Sequence, residues 1–256
     1  MRLVDIVARL RSPSGCLWDR AQEKEDIARY LLEEAYEVVD AIEGGTAMAL
    51  REELGDLFFH IVFLARLAEE RAEFDLADVL ADIEEKMIRR HPHVFGDRSL
   101  EDVAAIKESW EAVKRKEGKG LGTGPERFTG IAKALPALTR AQKIGQLASK
   151  VGFDWDSREV VLKKVEEEMT ELKAAIWTLS SEGISEEVGD LLFSLVNLCR
   201  FLEVDAETAL RGALHKFIRR FTYVEEGLAK AGKKPEAATP AEMDRLWEEA
   251  KALERK

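Results

Sequence analysis

The sequence predicts an all-α protein built as two tandem helical-bundle domains related by an internal repeat. Three observations carry this prediction. Apolar residues recur three or four apart through long segments in which Gly and Pro are scarce. Little of the chain alternates strictly every two residues, as a half-buried strand would. The second half also restates the motifs of the first in the same order.

Taken in order, the first-half helices are expected over about 3–11, 25–43, 47–71, 75–90 and 99–117. The second of these holds LLEEAYEVVDAIE, with Glu34 and Glu37 as an E-x-x-E pair. The third holds LREELGDLFFHIVFLARL, with Glu53 and Asp56 as an E-x-x-D pair. The fourth ends in a basic K-x-x-R-R, with Lys86, Arg89 and Arg90, and Pro92 stops it. The fifth carries WEAVKRKE from Trp110.

The run GKGLGTGPERFTG after Glu117 gathers five of the seventeen glycines with Pro125, and no helix propagates through it. It is the expected linker, residues 118–130, between domains at 1–117 and 131–256. Second-half helices are expected over about 136–149, 157–180, 184–203, 206–231 and 240–255. VEEEMTELKAAIW supplies Glu168 and Glu171, and ISEEVGDLLFSLVNLCRFL supplies Glu187 and Asp190. Fifteen residues separate the two acidic motifs in both halves. Lys216 to Arg220 and WEEAKALE from Trp247 complete the correspondence.

Of the 256 residues, 46% are hydrophobic and 35% charged, which excludes intrinsic disorder. Thirty-nine basic against fifty acidic residues leave a net charge of -11, so no nucleic-acid partner is expected. The longest apolar stretch, Leu57 to Ala68, contains His60 and Arg66 and falls short of the roughly 20 residues that span a bilayer. Neither a membrane span nor a signal peptide is expected. Cys16 and Cys199 stand far apart without a CxxC pair, which points to a reducing cytoplasm and no structural zinc.

Residues three apart on a helix share a face, so each acidic motif points two carboxylates the same way. Two such helices joined by a short connection bring four together, and four carboxylates repel unless a cation or protons intervene. Hard oxygen ligands select Mg²⁺, with Mn²⁺ as a substitute, and leave water positions open for phosphates. The chemistry this suggests is metal-assisted attack of water on phosphorus. Against it stands the bland reading of any E-x-x-E in an acid-rich chain, a solvated helix face.

The halves differ along this face. After Asp190, helical spacing meets Ser194 and Asn197, whereas after Asp56 it meets His60 and Phe63. Lys164 stands where the first half has Tyr30, and it either meets a phosphate or pairs with Glu168 four residues on. K-x-x-R-R offers phosphate a point charge and a guanidinium fork, or else it serves the surrounding acids. Trp247 stacks on a base or fills a groove between helices.

Several familiar sites are excluded. No His has Glu three residues before it, as a carboxylate di-iron bundle requires. The Gly-Lys pairs at 118–119 and 232–233 lack the rest of a Walker A loop. His91-Pro92-His93 reads either as a metal pair or as a helix cap.

GCLWD, YLLEEAYEVVDAI, ELGDLFFHIVF, RRHPHVFGD, LPALTRAQKI, VGFDW, EEVGDLLFSLVNLCR and KFIRRF together resemble the MazG family of all-α NTP pyrophosphohydrolases over nearly the whole chain. The resemblance implies Mg²⁺-dependent hydrolysis of nucleoside triphosphates to monophosphate and pyrophosphate by a homodimer, with catalysis in the second domain. It implies metal ligation by Glu168, Glu171, Glu187 and Asp190. It further implies nucleotide contacts at Lys164, Val165, Glu166, Glu167, Lys216, Arg219, Arg220 and Trp247, to which the polar track adds Asn197. Glu34, Glu37, Glu53, Asp56, Lys86, Arg89 and Arg90 would form a second site in the first half. Glu167 is a candidate general base. The competing readings are a relative directed at dUTP or phosphoribosyl-ATP, and a noncatalytic acidic helical adaptor.

Overall fold

The computed structural model describes residues 2–96, 102–117, 127–178 and 181–254. All regular structure among the described residues is helical. The chain divides into two compact units, Met1–Lys114 and Arg115–Lys256.

The first unit holds α1 (Leu3–Leu10), α2 (Leu17–Ala21), α3 (Lys24–Gly44), α4 (Ala47–Glu70), α5 (Leu76–Arg90) and α6 (Pro92–Phe95). α7 (Val103–Lys116) runs through the division. A capping box between Glu23 and Asp26 opens α3, and the Thr46 hydroxyl accepts from Ala49 N at 3.1 Å to open α4. Only Gly45 and Thr46 join the two helices, so α4 folds back along α3. α1 and α5 pack on α4. Val7, Ile27, Val62, Phe63 and Leu67 form the core, with Tyr30 and Phe59 at its margin.

The second unit holds α8 (Ala137–Ser149), α9 (Arg158–Thr178), α10 (Ser181–Phe201), α11 (Ala206–Lys230) and α12 (Pro240–Leu253). α9 and α10 form the hairpin matching α3 and α4, and α8 packs on α10 and α11. Gln142 ties α8 to the turn after α10, donating to Val204 O and accepting from Ala206 N, both at 3.0 Å. Thr239 and Glu242 form a capping box on α12, with Pro240 in its first turn. Val224, Leu228 and Leu246 anchor α12 on α11, and Trp247 packs against them.

The expected helices recur with shifted ends. α10 begins at Ser181 and stops at Phe201, where Glu203 takes a positive φ of 57° and Val204 N bonds back to Cys199 O. The short α2 was not expected. His91 serves as a cap: its Nδ1 lies 2.7 Å from Met87 O, and Pro92 starts α6. Residues 97–101, most of the expected linker (118–126), 179–180 and 255–256 lie outside the described residues. No described helix is long and apolar enough to cross a membrane.

Candidate metal centre

The acidic residues continue the faces that build the two hairpins. On α9, Val161, Lys164, Glu168 and Glu171 follow one another at helical spacing, and Val161 is wholly buried. On α3 the same places hold Ile27, Tyr30, Glu34 and Glu37, with Ile27 in the core. Packing that inserts Val161 or Ile27 between helices therefore turns the carboxylates one and two turns later toward the facing helix.

In the second unit, one oxygen each of Glu168, Glu171 and Glu187 lies within 4.8 Å of the others. Glu168 is buried, only 6% exposed, Glu187 half-buried and Glu171 exposed. Asp190 is exposed and outside this trio. In the first unit the trio is Glu34, Glu53 and Asp56, and Glu37 instead shares a hydrogen bond with Glu53. Each half thus gathers three of its four expected carboxylates, leaving out a different corner.

The electrostatics follow from this crowding. Glu171 titrates above the ordinary carboxylate value, chiefly through desolvation, then through the charge of Glu168, with Lys164 opposing and Glu187 adding. Glu53 is raised likewise by desolvation, then by Glu37. Lys164 Nζ stands 2.7 Å from Glu168 Oε1 and 2.8 Å from Glu167 Oε1, and these bonds hold its pKa above the usual lysine range. The ion-pair reading of Lys164 is the one observed. Glu167 Oε1 is accordingly engaged by the Lys164 ammonium. Val165 and Glu166 lie about 100° and 200° around the helix from Lys164, off the face that holds the trio.

Five of the expected nucleotide contacts, Asn197, Lys216, Arg219, Arg220 and Trp247, stand elsewhere. Asn197 is 2% exposed, packed against Gly145 of α8, where a β-carbon would come 2.7 Å from its Oδ1. Its amide donates to Phe193 O at 3.1 Å, and its Oδ1 accepts from Arg200 Nη2 at 3.5 Å. Arg200 in turn forks Asp154, with Nη1 to Oδ2 at 2.8 Å, and fixes the VGFDW loop that leads into α9. Asn197 is therefore packed as a support of Arg200. Its neighbour on the polar track, Ser194, is also buried and donates to Leu191 O.

The basic motif and Trp247 assemble at the α11–α12 packing, not on the α9–α10 hairpin. Arg219 and Arg220 meet Glu254 at 3.3 Å and 2.6 Å. Arg220 lies 5.7 Å over Trp247, whose ring sits 5.3 Å from Phe217, and Lys216 is exposed. Trp247 fills a groove, and the two arginines are already matched by a carboxylate. In the first half Arg89 pairs with Glu85 at 2.8 Å, Arg90 is buried, and Lys86 is half-buried. Burial removes Arg90 from reach of a phosphate in solvent.

Sequence reasoning did not single out Arg200, Asp154 or Trp18. The usable signal was the repeat itself, which places Arg66 and Arg200 at one position and sets GCLWD and VGFDW before the first acidic helix of each half.

The family model described as the MazG nucleotide pyrophosphohydrolase domain matches residues 22–95 and 156–224. The chain belongs to the MazG family. The first MazG match spans α3, α4, α5 and α6, and the second spans α9, α10 and most of α11, so each contains one acidic hairpin. The chain is 45% identical, over 97% of its length and 94% of the relative's, to a "Nucleoside triphosphate pyrophosphohydrolase/pyrophosphatase MazG" of Thermotoga maritima. It is 43% identical, over 99% of its length and 97% of the relative's, to a "Nucleoside triphosphate pyrophosphohydrolase" of Escherichia coli.

Proposed function

We propose that the chain is a Mg²⁺-dependent nucleoside triphosphate pyrophosphohydrolase whose second domain cleaves (d)NTP between the α- and β-phosphates, yielding (d)NMP and pyrophosphate. The names of its MazG relatives support the activity in general. The observation that carries the site is the carboxylate trio Glu168, Glu171 and Glu187 with Lys164 at its edge.

The donor set fits a hard divalent cation, Mg²⁺ or Mn²⁺. Three carboxylate oxygens within 4.8 Å, one of them on a carboxyl whose pKa is raised by its neighbours, form a place where positive charge is missing. Glu168, Glu171 and Glu187 would hold the cation, with Asp190 one turn beyond Glu187. When bound it would supply Lewis-acid polarisation of phosphate oxygens.

The chain's own residues contribute position and charge. Glu168 is fixed by burial and by the Lys164 ion pair, so its carboxylate keeps one geometry. Lys164 offers an ammonium beside the trio whose bond to the exposed Glu167 a phosphate oxygen would replace. Water attacks phosphorus, the bond to the bridging oxygen breaks, and pyrophosphate carries that oxygen away. No side-chain nucleophile is needed.

The protein works as a homodimer in this reading. Leu210, Leu214, Phe217 and Ile218 on α11 are each about half exposed, an apolar face that a second copy would cover. Two free thiols, Cys16 and Cys199, accord with a cytoplasmic role in clearing or regulating the nucleotide pool.

Chromatography of products from each common ribo- and deoxyribonucleoside triphosphate, with and without Mg²⁺, tests the activity. Monophosphate and pyrophosphate are expected, and only with the cation. Diphosphate and inorganic phosphate would place the cleavage elsewhere.

A further inference from the structure

We propose that Arg200 and Asp154 are positioning residues for the second-domain site: their ion pair sets α9 in register with α10, so that the carboxylate trio keeps the spacing Mg²⁺ requires. This role presupposes that the trio holds Mg²⁺.

One end of the α9–α10 hairpin is held by the chain itself, since α9 ends at Thr178 and α10 starts at Ser181. Glu171 and Glu187 lie about two turns from that end, and Glu168 about three. The other end is open, and there Arg200, in the last turn of α10, reaches Asp154 just ahead of α9. Packing of the buried Val161 keeps the helices together but is non-directional. A forked ion pair is directional, and it fixes where along α10 the α9 helix begins.

Arg200 is itself held from several sides. Its side chain is only 13% exposed, and Nη1 and Nη2 each meet one oxygen of Asp154. Asn197 Oδ1 accepts from Nη2, and Gly145 of α8 stands so close that a β-carbon there would lie 3.3 Å from Nε. Buried Nε meets no hydrogen-bond partner among the described residues, which leaves the Asp154 fork as the main anchor of the guanidinium. Asp154 titrates below the ordinary carboxylate range, chiefly through its bond from Arg200, with burial opposing and Trp155 N adding. Gly152 takes a positive φ of 82°, and Phe153 N bonds to Ala148 O at 3.2 Å, so the segment between α8 and Asp154 is fixed as well.

The first half makes its hairpin without this fork. Arg66, at the repeat position of Arg200, pairs within α4 with Glu69 and Glu70 at 3.0 Å and 2.9 Å. Arg11 forks Glu70 and donates to the carbonyls of Asp19 and Gln22, which anchors α2. The start of α3 is tied to the chain after α4 by Arg71 with Glu23 and by Lys24 with Glu73, pairs that stand largely in water and add little stiffness. The buried fork belongs to the half that holds the Lys164-bearing trio.

Mg²⁺ demands near-ideal octahedral geometry at short distances, whereas Ca²⁺ accepts longer and more varied ones. A small slip of α9 along α10 would therefore weaken Mg²⁺ more than Ca²⁺. Lys164, on a flexible four-carbon stem, would follow a phosphate through the same slip, so the KM for nucleotide would change little.

Titration calorimetry of the full chain with Mg²⁺ and, separately, with Ca²⁺ tests this, with Glu187→Gln marking the second-domain component. Asp154→Asn, which keeps the side chain's shape, should weaken Glu187-dependent Mg²⁺ binding about tenfold, as loss of a group behind a metal ligand does, and Ca²⁺ binding much less. Arg200→Lys, which keeps the charge but not the fork, should act likewise, and thermal midpoints confirm that both variants fold. Equal weakening of the two cations, or unchanged Mg²⁺ binding with a lowered thermal midpoint, would make the pair a support of the fold alone, overturning the positioning role and leaving the second-domain site standing. No Glu187-dependent Mg²⁺ binding in the wild type would sink both.

Discussion

Lys164 Nζ lies 2.7 Å from Glu168 Oε1 and so neutralises the most buried carboxylate of the second-domain trio. Tyr30 occupies the same place in the first domain, where the trio has no lysine beside it at that position. Lys164→Met should raise the KM for nucleoside triphosphate about five- to fiftyfold, the worth of a charge-assisted contact. Affinity for Mg²⁺ alone should hold or tighten, because a competing cation is gone. Steady-state kinetics with titration calorimetry of the metal would read the two effects separately, and parallel loss of both would mean that Lys164 merely supports the fold.

Glu171 sets a pH dependence. Its folded pKa is raised, so its contribution to stability is fully present below the ordinary value of 4.5 and is lost as pH rises through the folded one. Without cation, Glu171→Gln should therefore stabilise the protein at pH 7 and have little effect near pH 4. Thermal unfolding in EDTA at the two pH values checks the sign. Mg²⁺ at pH near the raised value should release protons, seen as binding heats that depend on the buffer's ionisation enthalpy.

Gly145 and Asn197 make a fit without slack. A β-carbon on Gly145 would stand 2.7 Å from Asn197 Oδ1 and 3.3 Å from Arg200 Nε. Gly145→Ala should cost about 1–3 kcal/mol by overpacking, measured by urea denaturation. Asn197→Ala should reduce turnover only through the Arg200–Asp154 bond, and Arg200→Lys should reproduce that reduction. A change in KM for nucleotide with unaltered stability would return Asn197 to the binding surface.

The α11 face predicts association. Leu210→Glu together with Leu214→Glu should convert a sedimenting dimer into a monomer at micromolar concentration, because two carboxylates would be desolvated against apolar partners. A wild-type chain that sediments as a monomer would remove the dimer from the account.

The hairpins were legible from the sequence because Ile27 with Glu34 and Val161 with Glu168 obey helical spacing, and because the spacing occurs twice. α2 was not, since a five-residue helix has no periodicity to display and its stability comes from Arg11 and from Glu70, far along the chain. Asn197 was read as open because helical spacing shows which face a residue shares but not what lies opposite it. Here Gly145 does, and it leaves no room for solvent. Trp247 was read toward a base, and the Arg219–Arg220 pair toward phosphate, from the repeated motifs and the family resemblance, while Glu254, far along the chain, pairs with both arginines. Long-range pairing of this kind is not written in local pattern.

Turnover of Glu187→Gln beside Glu53→Gln, on one nucleoside triphosphate at saturating Mg²⁺, bears most directly on the assignment of catalysis. The residues hold equivalent places in the repeat and both sit in a carboxylate trio. With both variants folded, the account predicts that Glu187→Gln lowers kcat about a hundredfold or more, at least what loss of an outer-shell partner of a metal costs, while Glu53→Gln keeps most of it. Equal losses from the two substitutions, or a loss confined to Glu53→Gln, would contradict it.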